Sequence, residues 1–298
     1  MHPIAFLIGN FEIRWYGILI TVGIIAGVAL AWFRCKYYGL KKNDLYDLAF
    51  MGVLVGIIGA RLMYIFTNNF SYWLANPLEI FTLQMSGLSF IGIIVFNVPA
   101  VAIFAKVRKL SFWRIMDLAA PSIAIGYFFG RLGCFMNGCC YGPECSWGIV
   151  MPGTGKFAPV FPTQLVNAAV AILMFVVLYW VATKRKFFQG WLFTLFLYIY
   201  TIFHLGTEFL RSDPGHGALF GTPFNAAQMG NILGLLLAVG LHIYLRRSKI
   251  QSTISDEELV LIEQADREAS GNKKKEEPKE EKTEEKDEKS VNEEGTGQ

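Results

Sequence analysis

Charge is scarce in this chain: Asp, Glu, Lys and Arg make up 17% of 298 residues, against about 25% in a soluble domain. Hydrophobic residues reach 53% without counting glycine, whereas soluble domains reach roughly 45–50% only with glycine included. A water-soluble globular enzyme is therefore excluded. Five cysteines are too few for a small disulfide-stapled scaffold, and 29 glycines are far short of the one in three that collagen needs. The charge that exists is split. Residues 1–250 hold 19 Lys+Arg against 8 Asp+Glu, and residues 251–298 hold 8 against 16. The basic excess is confined to short loops between apolar runs, so no nucleic-acid partner is expected.

What is present is a succession of apolar runs of a length suited to a bilayer, which needs roughly 20 residues per helix. Seven spans are predicted: 15–33, 48–66, 90–105, 115–129, 165–182, 191–210 and 226–245, the third and fourth being short. None shows the two-residue alternation of a membrane barrel, and backbone groups in hydrocarbon must be satisfied within their own segment. The fold class is thus all-α, a polytopic membrane protein with about seven transmembrane helices embedded in the lipid bilayer. Arg34, Lys36, Lys41 and Lys42 follow the first span, and Lys106, Arg108, Lys109 and Arg114 separate the third and fourth. Lys184, Arg185 and Lys186 separate the fifth and sixth, and Arg246, Arg247 and Lys249 follow the last. Loops on the other side hold almost no Lys or Arg, with none in residues 67–89. Basic loops stay in the cytoplasm, which places the N-terminus outside and the C-terminus in the cytoplasm. No cleavable signal peptide is expected, since the first apolar stretch lacks a basic flank and runs into Glu12 and Arg14.

Two regions follow: a transmembrane domain over 1–250 and a charged, mostly disordered cytoplasmic tail over 251–298. Within the tail, residues 255–269 have the pattern of one short amphipathic helix, and 271–298 hold too little apolar surface to offset ordering entropy. Gly52, Gly56 and Gly59 have the small-residue spacing that lets helices pack closely.

Four arginines stand apart from the basic loops: Arg14, Arg61, Arg131 and Arg211. Such residues either snorkel or pair with an acid, here Glu208 or Asp213, or else they bind an anionic headgroup through their two-pronged fork. The stretch from Gly130, GRLGCFMNGCCYGPECSWG, reads as an outer loop and holds Cys134, Cys139, Cys140 and Cys145. Its spacing matches no paired CxxC or His-containing zinc signature, so no metal is expected, and an extracytoplasmic position favours a structural disulfide. Its glycine density suits close approach of backbone to a ligand, and Asn137 adds an amide that donates and accepts.

Gly130–Gly142, GRLGCFMNGCCYG, resembles the signature of the prolipoprotein diacylglyceryl transferases. RWYG at Arg14–Gly17, GAR at Gly59–Arg61, SGLSFIG at Ser86–Gly92, PTQL at Pro162–Leu165 and EFLRSD at Glu208–Asp213 agree with it in order. The resemblance covers roughly residues 4–249. It implies an enzyme of the bacterial inner membrane that moves the diacylglyceryl group of phosphatidylglycerol to the lipobox cysteine of prolipoprotein signal peptides, with no cofactor. It also implies that Arg131 and Arg211 hold the phosphate and that Tyr16 orients the headgroup. Asn137 and Gly142 would shape the loop, while Arg61 and Glu208 would complete the lipid site.

Four positions depart from the frequent pattern: Ile91 for His or Tyr, Cys134 for Asn, Cys139 for Glu and Asn167 for Glu. Isoleucine can neither accept nor donate a proton, so a base at position 91 is missing here. His204 and His216 are candidate substitutes, although a buried histidine more often has a structural role. Two other readings remain at this point: a non-catalytic paralogue that binds anionic lipid or lipoproteins, and a thiol redox carrier.

Overall fold

The computed structural model describes residues 3–9, 11–67, 90–151, 156–184, 187–211, 224–248 and 250–268. Among the described residues, seven long helices form the body: α1 Trp15–Arg34, α2 Lys42–Thr67, α3 Phe90–Val107, α4 Phe112–Asn137, α5 Thr163–Thr183, α6 Trp191–Glu208 and α7 Ala226–Ser248. Their order matches the seven apolar runs. Five of them are long and apolar enough to cross a membrane on those grounds alone, and α3 and α6, at 18 residues each, lie at the short end of the spanning range. The protein is an all-α polytopic membrane protein.

Burial is the reverse of that in a soluble bundle. Ile25, Phe50, Trp180 and Leu236 are 61–69% exposed on the outer surface, whereas Thr163, Gln164, Asn167, Thr194 and Glu208 are buried. The outer apolar belt meets lipid, and the polar interior must be hydrogen-bonded internally. Helix α4 is the hub, packing on α1, α5 and α6; α2 packs chiefly on α3, and α7 on α6. The sequence reading of the glycine run holds at the α2–α3 crossing. A Cβ on Gly59 would lie 2.6 Å from that of Phe96, and one on Gly92 would overlap the Gly59 carbonyl, so backbone meets backbone there.

Three expectations change. The fourth span is not short: α4 runs 26 residues, because the stretch from Gly130 continues the helix through Asn137 rather than opening a loop. The glycines there are tolerated because they pack; Gly133 would place a Cβ 3.0 Å from the Tyr16 ring. The helix stops at Gly138, whose φ of 73° is the left-handed cap that glycine adopts without steric cost. Two hairpins also accompany the helices, β1 Ile4–Ile8 with β2 Phe11–Arg14 and β3 Glu144–Met151 with β4 Lys156–Val160, both antiparallel. Finally, all five cysteines are described and no disulfide joins any of them.

The basic end of the bundle is closed by the segment after α7. Gln189 N–H donates to the Ile250 carbonyl at 2.9 Å, Ser252 N–H to Phe187 at 3.0 Å and Ile254 N–H to Tyr37 at 3.0 Å. Residues 256–268 then form a helix, tied back by Lys36 Nζ to Glu263 at 2.7 Å. Residues 269–298 lie outside the described residues.

Candidate functional site

Arg131 leaves α4 one turn before its C-terminal segment and is 9% exposed. A buried guanidinium needs acceptors or aromatic faces around it, and the neighbouring helices supply both. Its Nη2 lies 2.5 Å from His204 Nε2 on α6, and its guanidinium carbon stands 4.9 Å from the centre of the Tyr127 ring, one turn earlier on α4. A guanidinium only donates, so Nε2 of His204 is the accepting nitrogen. The other ring nitrogen faces the Asn231 amide from α7 at 2.9 Å, and the Tyr200 ring stacks on the imidazole at 5.1 Å and 13°. His204 is thereby fixed by partners on three helices, α4, α7 and its own α6, with both nitrogens engaged. This is a positioning arrangement for Arg131 rather than that of an open base.

A second arginine stands at the end of the helix that carries this histidine. Arg211 follows the last turn of α6 and donates through Nη1 to both carboxylate oxygens of Glu208, at 3.2 and 3.1 Å. Glu208 is 2% exposed. The alternative of an acid partner thus divides the pair: Arg211 meets Glu208, and Arg131 meets His204. His204 is in electrostatic range of both guanidinium groups, so two arginines 80 positions apart act on one imidazole, Arg131 by direct contact and Arg211 at longer range. Glu208 offsets Arg211, while Arg131 meets only neutral partners, so one positive charge remains at the site, the condition that attracts an anion.

The loop after α4 forms one wall. Gly142 N–H donates to the Phe161 carbonyl at 2.9 Å, and a Cβ at Gly142 would come within 2.9 Å of the Leu210 carbonyl, beside Arg211. Glycine is required there by close approach. Two side chains from the first turn of α5 pin the cysteine stretch: Thr163 Oγ1 donates to the Cys140 carbonyl, and Gln164 Nε2 to the Cys139 carbonyl at 2.6 Å. Asn167, which departs from the family's frequent Glu, accepts from Thr207 Oγ1 at 3.0 Å and more distantly from Tyr127 at 3.4 Å. It links α5 to the two helices that carry Arg131 and His204.

The remaining sequence candidates separate into near and far. Tyr16, 42% exposed at the start of α1, packs on Gly133 and lies within electrostatic range of Arg131, Cys134, Cys139 and Cys140. Asn137 is the last residue of α4, half-buried at the cap. Arg61 belongs to α2, whose principal packing is with α3. Ile91 is in the first turn of α3, and its side chain, Ser86–Ser89, Asp213 and His216 lie outside the described residues. Sequence reasoning missed Tyr127, Tyr200 and Asn231. A polar residue within an apolar span is the signal that marks Asn231, since such residues face the bundle interior.

One further polar group, absent from the sequence candidates, belongs to the fold. Asp117 on α4 is fully buried at the basic end and accepts from Gly190 N–H at 2.6 Å, Phe193 N–H at 3.0 Å and Ser252 Oγ at 2.5 Å. A carboxylate on the first N–H groups of α6 satisfies donors that have no intrahelical partner.

Residues 3–244 match the family described as prolipoprotein diacylglyceryl transferase. Among curated proteins, phosphatidylglycerol–prolipoprotein diacylglyceryl transferase of Geobacter sulfurreducens is 31% identical over 254 residues, covering 84% of this chain and 97% of the relative. The protein of that name from Bordetella parapertussis is 33% identical over 253 residues, covering 83% and 96%. Its namesake from Aliivibrio salmonicida is 35% identical over 245 residues, covering 80% and 85%. With a family match over residues 3–244 and relatives 31–35% identical over at least four fifths of both chains, the chain belongs to the prolipoprotein diacylglyceryl transferases.

Proposed function

We propose that this protein transfers the diacylglyceryl group of phosphatidylglycerol to the lipobox cysteine thiol of prolipoproteins, at the outer face of the bacterial inner membrane. Buried Arg131, held by His204, with Arg211, held by Glu208, at the end of the same α6, carries this reading, because the reaction must hold a phosphodiester and stabilise it as it leaves. The substrate sulfur attacks the glycerol carbon bearing the phosphate. A C–S bond forms, the C–O bond breaks with its electron pair, and glycerol phosphate departs.

Each residue then has a task. Arg131 and Arg211 donate to phosphate oxygens, where charge-assisted forks are worth most, and they meet the charge that grows on the leaving group. His204 and Glu208 hold the two guanidinium groups in register. Tyr16 orients the headgroup, Asn137 and Gly142 shape the loop beside it, and Arg61 contributes a further charge to the lipid at the neighbouring helix pair. The Lys and Arg bias puts the N-terminus and the arginine end outside, and the clasp over 250–268 in the cytoplasm. Release of glycerol phosphate from phosphatidylglycerol vesicles containing the purified protein, with a lipobox peptide as acceptor, tests the activity. Phosphate binding without release favours a non-catalytic lipid-binding role.

A further inference from the structure

Cys134, Cys139 and Cys140 bring their three sulfur atoms within 4.8 Å of one another, half-buried, although their spacing matches no metal motif. Their chain path explains the gathering. Cys134 is on the last full turn of α4, Gly138 reverses the chain, and Cys139 N–H returns to the Cys134 carbonyl at 3.1 Å. Cys140 then adopts φ of 64°, an unusual value for a residue with a Cβ, and Thr163 and Gln164 hold the two carbonyls outward. Both thiols are turned towards the first. Zinc bonds to sulfur at about 2.3 Å, so a tetrahedral site has sulfur edges of about 3.8 Å, and side-chain rotations of less than about 1 Å close the trio onto an ion.

We propose that Cys134, Cys139 and Cys140 form a three-thiolate zinc site whose fourth position takes the sulfur of the substrate cysteine. Thiolates select zinc or copper(I) over the hard cations, and three protein ligands with an open position is the arrangement of a zinc site that does chemistry. Among the described residues no fourth His, Cys, Asp or Glu joins the group. Charge agrees as well. Zn(II) with three thiolates carries −1, and −2 once the substrate thiolate is bound, and Arg131, three residues before Cys134 on the same helix face, offsets part of that charge. A pairing into a disulfide uses two of the three sulfurs and leaves one over, so it does not account for the cluster.

The inference rests on the transferase reading and gives that reaction its activation step. Binding to zinc deprotonates the substrate thiol, and the released proton passes to water and finally to the glycerol phosphate. The zinc-bound sulfur then attacks the glycerol carbon as the C–O bond breaks, with no redox change. A site that ionises the thiol removes the need for a side-chain base, and both nitrogens of the nearby His204 are already engaged.

The test uses the full chain in phosphatidylglycerol nanodiscs, reduced and metal-free, titrated with zinc and with cobalt(II) as a spectroscopic replacement. One equivalent per chain is expected, with intense thiolate-to-cobalt charge transfer in the near ultraviolet that changes when a lipobox peptide is added and not when its Cys→Ser version is. Cys134→Ser, Cys139→Ser and Cys140→Ser each lose at least the ~10–100-fold in affinity typical of disturbing a metal's surroundings, whereas Cys35→Ser and Cys145→Ser bind normally. In wild type, zinc protects three thiols from alkylation, a readout that does not depend on any variant folding. Removing zinc shifts the transfer profile towards the ordinary thiol pKa near 8.5. Cobalt bound without charge-transfer bands, fewer than three thiols protected by zinc, or transfer unchanged by zinc removal overturns the site. Zinc and peptide bound as expected with no glycerol phosphate released overturns the transferase reading instead.

Discussion

At the basic end of the bundle Asp117 is wholly buried and accepts three hydrogen bonds, from two backbone N–H groups of α6's first turn and from Ser252. At the opposite end Arg131 is almost as buried, yet a guanidinium has five donors and the neutral His204 nitrogen accepts only one of them. The acid is saturated by its own chain; the arginine keeps capacity for a ligand. Buried charge therefore has two uses in one helix. Saturated, it fixes the entry of the next segment; partly matched and paired with a second cation, it makes a place for an anion.

The largest effect is expected at the unsaturated end. Arg131→Lys keeps the charge but loses the fork, and transfer should fall by about 10²–10³, the range seen on removing one donor to a developing anion. Normal membrane insertion with glycerol phosphate release as the assay checks this, and near-normal turnover would erase the contrast with Asp117. Arg211→Lys should behave alike, while Arg211→Ala should also remove the countercharge held on the buried Glu208 carboxylate and lower stability.

Asp117→Ala should act in the reverse sense. It leaves two buried N–H groups and the Ser252 hydroxyl without an acceptor, at roughly 1–3 kcal/mol for each group left unsatisfied. The melting temperature in detergent should drop clearly while turnover per folded molecule persists. A pure activity loss with unchanged melting would mean that the two ends are not separable.

A smaller effect is expected at the loop wall. Gly142→Ala pushes a methyl group against the Leu210 carbonyl, a backbone atom that cannot swing away, so the loop must shift beside Arg211. Transfer should fall by about tenfold, since small misplacements near a reacting group cost up to about 10². Apparent affinity for phosphatidylglycerol, measured alongside, should weaken in parallel.

The smallest effect belongs to the clasp's outer contact. Lys36 holds the exposed Glu263 carboxyl below its usual range through a hydrogen bond and charge. A depressed carboxyl stabilises the fold above its unfolded pKa, and the contribution is lost as pH falls through the folded value. Because the pair is screened by solvent and salt, Glu263→Gln should leave melting at neutral pH almost unchanged and slightly flatten its decline in acid. A large loss would show that the clasp depends on this pair rather than on Asp117 and Ser252.

Apolar runs of spanning length without two-residue alternation set the seven helices, because a chain in hydrocarbon satisfies its backbone only in a helix or a closed barrel. The spacing of Gly52, Gly56 and Gly59 likewise announced a close helix contact, and Arg131 and Arg211 stood out by being charged where charge is costly. Motif order named the family before any coordinate did. The limits of local pattern show in α4, where a glycine-rich stretch reads as loop and is helical through Asn137. Its glycines Gly130 and Gly133 face Ile20 and Tyr16 of α1, partners that lie more than a hundred residues away in sequence. Only the tertiary structure decided that His204 locks Arg131, that Asn231 and Tyr200 hold His204, and that Ser252 closes on Asp117 across 135 positions. The same is true of the three sulfurs, which a left-handed glycine and a strained Cys140 fold onto one point. Helix formation is dictated residue by residue and can be read from a window, whereas partners for buried polar groups come from other segments and exist only once those segments pack.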